Sequence, residues 1–184
     1  MAITLNGSGT ATGLTAAPNL ASSGLTTGKI LQVKQTKLTT AVSISGTTSY
    51  ADISGFSVSI TPTSASNKIL VMVQMNVSSS GEYIMKLIRN AGGSNTDIGN
   101  STAGNYTSFT GGFQATDRSG YYDFMGRNFN FLDDAQDTNA HTYKVGWSNI
   151  TAITTYLNRT GYSATGANYS YSGSSSITVY EVAA

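Results

Sequence analysis

From residue 29 onward, apolar and polar positions alternate with a period of two. Phe56, Val58 and Ile60 alternate with Ser57 and Ser59 until Pro62 ends the run, which predicts a half-buried strand. Over residues 68–77, Ile69, Val71, Val73, Met75 and Val77 fall on one face, and Leu70 and Met72 share the other with Gln74 and Asn76. A strand apolar on one whole face and half of the second predicts cover on both sides, by a loop or by a neighbouring subunit. Tyr143, Val145 and Trp147 line one face of a further strand. Shorter runs at 30–37, 83–89, 122–132, 153–158 and 176–182, with Val42 and Ile44 following a break at Thr39-Thr40, bring the total to eight or nine strands. A weak strand is expected around 109–116 in an otherwise loop-rich stretch at 90–120. Ser78 to Gly81 reads as a hairpin turn, and the phase change between Phe124 and Phe129 predicts a bulge near Gly126. Residues 133–140 read as a polar turn and 161–173 as a Tyr/Ser/Gly loop.

No stretch has a helical period, so βαβ units are excluded. Many short strands separated by turns predict an all-β fold, an antiparallel β-sandwich of jelly-roll type over residues 29–184. Residues 1–28 follow a different pattern, a Gly/Ser/Thr/Ala run with isolated aliphatic residues. Such a segment cannot bury enough apolar surface to fold alone. It is either a loose terminus or an extended N-terminal arm that orders against a partner. The regular spacing of Ile3, Leu5, Leu14, Leu20 and Leu25 favours the arm, with those residues as anchors.

Composition reinforces the β reading. Only 10% of the 184 residues are charged, against roughly a quarter in an ordinary soluble domain. Solubility rests on 25 Ser, 26 Thr and 14 Asn, which suit strand faces and turns better than helices. The net charge of +1 and the scattered six Lys and four Arg give no footprint for nucleic acid or an anionic membrane. No apolar run approaches the roughly 20 residues of a spanning helix. The N-terminal stretch lacks the features of a secretory signal, and the absence of Cys excludes a disulfide framework. A surface-type composition without secretion equipment suits synthesis in a bacterial cytoplasm and release inside a larger assembly.

The segments GKILQVKQTK, SYADISGFSVSITPTSASNKILVMVQMNV, HTYKVGW and SSITVYEVA, with the opening ITLNGSGTATGL, resemble virion structural proteins of marine and cyanobacterial phages. That family includes tail-fibre-like and decoration proteins. Strand order and the closing aliphatic-aromatic strand resemble the trimeric tumour-necrosis-factor-like jelly roll. The resemblance implies a homotrimer in which Leu70 and Met72 meet their copies at a threefold axis. It also implies a surface place on the virion, with the N-terminal arm held by other virion proteins. Fold resemblance does not by itself fix function.

Candidate chemistry is sparse. His141, the one histidine, sits in TNAHTYKV with no nucleophile elbow nearby, and reads as a His at a strand end beside a polar turn. Asp133, Asp134 and Asp137 could supply oxygen ligands to a hard cation, but lack the spacing of a calcium-binding helix-loop-helix; an ordinary acidic turn is the plainer reading, and no metal or cofactor is expected. A glycosidase needs two carboxylates across a cleft, and Glu82, Asp123 and Glu181 are the available acids. Nothing in their spacing pairs them, so a glycan-active enzyme is the least favoured class. Tyr106, Tyr121, Tyr122, Tyr162, Tyr169 and Tyr171 lie in or beside loops rich in Asn, Ser and Gly. That mixture suits recognition of a host-surface glycan or protein. It equally suits rings tucked into the ends of the sandwich, or contacts with neighbouring virion subunits. The sequence therefore leads to a non-enzymatic virion protein, acting in host attachment or, alternatively, as a capsid or tail decoration.

Overall fold

In the computed structural model the described residues are 28–46, 49–100, 109–113, 124–161 and 170–184, with the backbone of Thr4–Leu5 and Ala11–Thr12. Two short strands, β1 (Thr4–Leu5) and β2 (Ala11–Thr12), pair with each other. The fold proper is built from β3 (Ile30–Leu38), β4 (Val42–Ser45), β5 (Ala51–Ile60), β6 (Lys68–Ser79), β7 (Tyr83–Ala91), β8 (Ser94–Ile98), β9 (Gly111–Phe113), β10 (Met125–Asp134), β11 (His141–Asn149), β12 (Thr154–Leu157) and β13 (Ser175–Val182). All pairings are antiparallel, and no helix occurs among the described residues.

The pairings nest. β3 pairs with β13, β5 with β11, β6 with β10 and β7 with β8, each successive strand matched to one progressively nearer in sequence. Side pairings of β6 with β13 and of β7 with β11 then gather the eight strands into two sheets, β3-β13-β6-β10 and β5-β11-β7-β8. This is a jelly roll. β12 and β4 extend the first sheet beyond Val77, and β9 adds to β7 in the second.

The core lies between the sheets and follows the alternation read from the sequence. Ile69, Val71, Val73, Met75 and Val77 from β6, with Ile177 and Val179 from β13, face Phe56, Val58, Ile60, Leu87, Tyr143, Val145 and Trp147. Phe129 and Phe131 of β10 pack against the same cluster.

Four sequence expectations need correction. Ser78–Gly81 does not close a hairpin: β6 and β7 belong to different sheets, so the turn carries the chain across the sandwich. The bulge near Gly126 is absent, because β10 pairs with β6 in unbroken register from Met125 to Asp134 and Phe124 lies just before the strand. Asp133 and Asp134 belong to β10 and not to the following turn. β8 was not expected either; Gly92 and Gly93, both at positive φ, make its hairpin with β7.

Gly99 ends β8 at φ +69°, and an added Cβ would lie 3.1 Å from the Phe131 ring. Gly99→Ala is expected to cost about 1–2 kcal/mol, from the left-handed backbone together with displacement of that ring. A urea denaturation midpoint unchanged from wild type would contradict this.

Candidate interaction surface

The register of β3, β13, β6 and β10 assigns each residue of the outer sheet face to a row. Val33, Tyr180, Leu70 and Leu132 lie side by side across the four strands. The next row is Gln35, Thr178, Met72 and Asn130, with the Gln35 amide donating to the Thr178 hydroxyl at 2.8 Å. Beyond it come Lys37, Ser176, Gln74 and Asn128. On the other side of the apolar row stand Ile30, Val182, Lys68 and Asp134. There the Lys68 ammonium meets the Asp134 carboxylate at 2.6 Å, and Asp134 is held below its usual carboxylate range chiefly by that hydrogen bond.

Met72 is 45% exposed, Leu132 54% and Val33 50%, while Leu70 and Tyr180 are half-buried among them. Among the described residues no loop covers this face. A groove of about 420 Å³ runs along the amide and hydroxyl rows, floored by Met72, Gln74, Asn128, Asn130 and Thr178. The face is thus an apolar stripe flanked by hydrogen-bonding groups that are neutral except for Lys37, with one ion pair on its other side.

The polar residues singled out from the sequence part company. Asp133 points into the sandwich, where it accepts from Arg89 Nη1 at 2.9 and 3.1 Å and from the Tyr143 hydroxyl at 2.7 Å. Burial raises the Tyr143 pKa, and the carboxylate it donates to raises it further. Asp134 points outward to Lys68. Asp137 lies in the β10–β11 turn, where the Asn139 amide donates to it at 2.6 Å and His141 Nε2 lies 3.0 Å away; its pKa is lowered, first by the Asn139 amide. The three acids therefore engage three separate partners and do not converge. His141 is fully buried at the start of a strand flanked on both sides, with Nδ1 making no hydrogen bond among the described residues. Its position is more enclosed than a strand-end His beside a polar turn implies.

Glu181, one of the acids available to a glycosidase in the sequence, is fully buried inside the first sheet. Its Oε1 accepts from the Thr63 amide (2.6 Å), the Thr63 hydroxyl (2.7 Å) and the Asn67 amide group (2.6 Å), and its Oε2 from Gln32 at 2.6 Å. Strand phase offered the signal, since Ile177, Val179 and Glu181 share a face. Tyr171 is exposed, whereas Tyr106, Tyr121, Tyr122, Tyr162 and Tyr169 lie outside the described residues. The arm anchors Ile3, Leu14, Leu20 and Leu25 also lie outside them; Leu5 falls in β1, known there by its backbone pairing.

No family model matches the sequence. No curated protein matches it. Among solved structures the chain is similar to the VP2 subviral particle of infectious bursal disease virus, at 9% identity and a TM-score of 0.40, over 84% of this chain and 42% of that one. It is also similar to the structure of infectious bursal disease virus Gx strain, at 11% identity and a TM-score of 0.40, over 86% and 38% of the respective chains. The chain spans less than half the length of either. At that level of similarity no residue or role passes from them to this protein.

Proposed function

We propose that the protein is a non-enzymatic structural subunit of a phage virion, assembling as a homotrimer through the outer face of its first sheet. The observation that carries self-assembly is the continuous row Val33, Tyr180, Leu70 and Leu132, with Met72 beside it. A contiguous exposed apolar stripe rimmed by polar residues is the kind of surface that marks an interaction site. Its polar flanks are amides and hydroxyls apart from Lys37 on the edge strand, and the Lys68 charge is matched within the chain by Asp134, which limits the charge that copies bring together. The sequence resemblance to phage structural proteins supports the virion assignment. The non-enzymatic part is supported by the burial of His141 against Asp137 and of Glu181 among neutral donors.

In this reading residues 1–28 hold the subunit to other virion proteins. The tyrosine-bearing loops, represented by the exposed Tyr171, contact a host-surface glycan or protein as a tail-fibre-like tip. The alternative reading is decoration of a capsid or tail, favoured by the amide- and hydroxyl-lined groove on the outer sheet face, which suits contacts with other virion subunits.

Light scattering on the purified protein is expected to give three times the 19.2 kDa chain mass. Leu132→Asp and Met72→Asp should each give a folded monomer, because a carboxylate desolvated in an apolar contact costs several kcal/mol. A monomeric wild type at micromolar concentration would overturn the trimer. Blocking of infection by purified protein would support attachment, and binding to particles alone would support decoration.

A further inference from the structure

A pocket of about 660 Å³ opens between β8 and β10, the outermost strands on one side of the sandwich. Charge is balanced in it. Asp133 meets the Arg89 guanidinium at 2.9 Å, Asp97 the Lys86 ammonium at 2.6 Å and Asp134 the Lys68 ammonium at 2.6 Å. Each charged residue lining the pocket thus has its counter-charge within the chain, and a charged ligand would arrive without one. The pocket suits a neutral ligand.

Hydrogen-bonding capacity is left over all the same. Arg89 Nη1 donates to both Asp133 oxygens and, at 3.0 Å, to the Asp134 carbonyl, while Nη2 meets no acceptor among the described residues. The Arg89 side chain keeps 19% of its surface exposed, so part of the guanidinium faces the pocket. Asn100 Oδ1 accepts from the Thr110 hydroxyl at 2.8 Å, which orients the amide and leaves Nδ2 without a partner among the described residues. Half-buried Phe131 adds an aromatic surface, its ring lying against Gly99.

A sugar ring meets all of these conditions. Its hydroxyl oxygens accept from N–H groups, its hydroxyl hydrogens rotate toward water in an open pocket, and its C–H face packs on a phenyl ring. A peptide carbonyl would accept equally well, but the N–H beside it has a fixed direction and needs an acceptor, and the carboxylates here are already engaged. Leu132 and Asp134 belong to the pocket wall and also to the outer sheet face, and the ligand contacts assigned here use neither. The site therefore stands whether or not copies assemble through that face, and whether or not the protein is a virion subunit.

We infer that this pocket binds a neutral sugar residue, with Arg89 Nη2 and Asn100 Nδ2 donating to its hydroxyls and Phe131 packing on its C–H face.

Saturation-transfer NMR tests this on the full chain. The probes are glucose, galactose, mannose and N-acetylglucosamine, each as the free sugar and as its methyl glycoside. At least one is expected to bind with a Kd of roughly 1–10 mM, the range that a ligand of about a dozen non-hydrogen atoms reaches. A glycoside that binds as well as its free sugar supports the site with a glycan residue as ligand, and binding confined to free sugars supports it with a small metabolite. Asn100→Asp keeps the acceptor for Thr110 and replaces the free donor with a carboxylate, so affinity should fall about tenfold at an unchanged urea midpoint. Phe131→Leu keeps an apolar side chain against the core, removes the aromatic face and should also weaken binding. N-acetylneuraminate and a capped Ser-Asn-Gly peptide serve as charged and peptide controls, and neither should bind. Three results would overturn the site: no saturation of any neutral sugar, equal affinity in wild type and Asn100→Asp, or a control that binds more tightly than every neutral sugar.

Discussion

Glu181→Ala is expected to lower the unfolding free energy by about 3–4 kcal/mol, read as a fall in the urea midpoint at neutral pH. The carboxylate is fully buried with no cation beside it, and four donor contacts from Thr63, Asn67 and Gln32 stand in for its lost hydration. Alanine leaves those donors facing a cavity. The damage should reach the β5–β6 turn, because the Asn67 amide oxygen also accepts from the Ala184 backbone at 3.4 Å and ties the turn to the chain end. Burial alone would push the Glu181 pKa up, but the hydrogen bonds from Asn67, Gln32 and Thr63 outweigh it and hold the pKa below the usual value of 4.5. A depressed folded-state pKa contributes stability that is complete above about pH 4.5 and disappears as pH falls through the lower folded value. The gap in stability between wild type and Glu181→Gln should therefore narrow on acidification below pH 4.5. Parallel acid limbs for the two proteins would show that Glu181 is not the linked group.

The strands were legible because burial on one side of a sheet writes a period of two into the sequence. Phe56-Val58-Ile60 and Tyr143-Val145-Trp147 needed no further information. The double-faced β6 was legible in the same way, and Leu70 and Met72 stand on the outer face where that phase put them. Period alone says nothing about which strand lies beside which. The row from Val33 to Leu132 joins neighbours 147, 110 and 62 positions apart in sequence, and appears only when the register of three ladders is known. For the same reason a turn at Ser78–Gly81 was readable, but its crossing between sheets was not. β8 escaped because SNTDI is solvent-exposed except for Ile98, so it has almost no apolar phase; Gly92-Gly93 was its one local mark. The acidic trio reads as one turn because its members are close in sequence, but two of them belong to the strand before it. Asp133 and Asp134 are consecutive on a strand and must face opposite sides, a consequence available from the sequence once β10 is carried two residues further.

That divergence makes Asp133 the second position of large effect. Asp133→Ala is expected to cost about 3–5 kcal/mol, because it leaves the Tyr143 hydroxyl without its acceptor and the Arg89 guanidinium without its carboxylate, keeping only the Asp134 carbonyl 3.0 Å from Nη1. Asp133 and Asp134 sit side by side in sequence, yet Asp134→Ala removes only an exposed pair with Lys68 and should leave the midpoint nearly unchanged. Tyr143→Phe takes away one donor and keeps the ring, so about 1 kcal/mol is expected. The cost of Asp133→Ala is mostly that of an abandoned cation, and a cycle can show this. Arg89→Met with Asp133→Leu removes both charges and fills the space with apolar atoms of similar length. The double variant should recover most of the stability lost by Asp133→Ala. Arg89 Nε already makes no hydrogen bond among the described residues, so the native bridge is itself incompletely satisfied, which favours this recovery. A double variant no more stable than Asp133→Ala, or an Asp133→Ala midpoint within error of wild type, would mean that the bridge between the sheets is not what its geometry indicates.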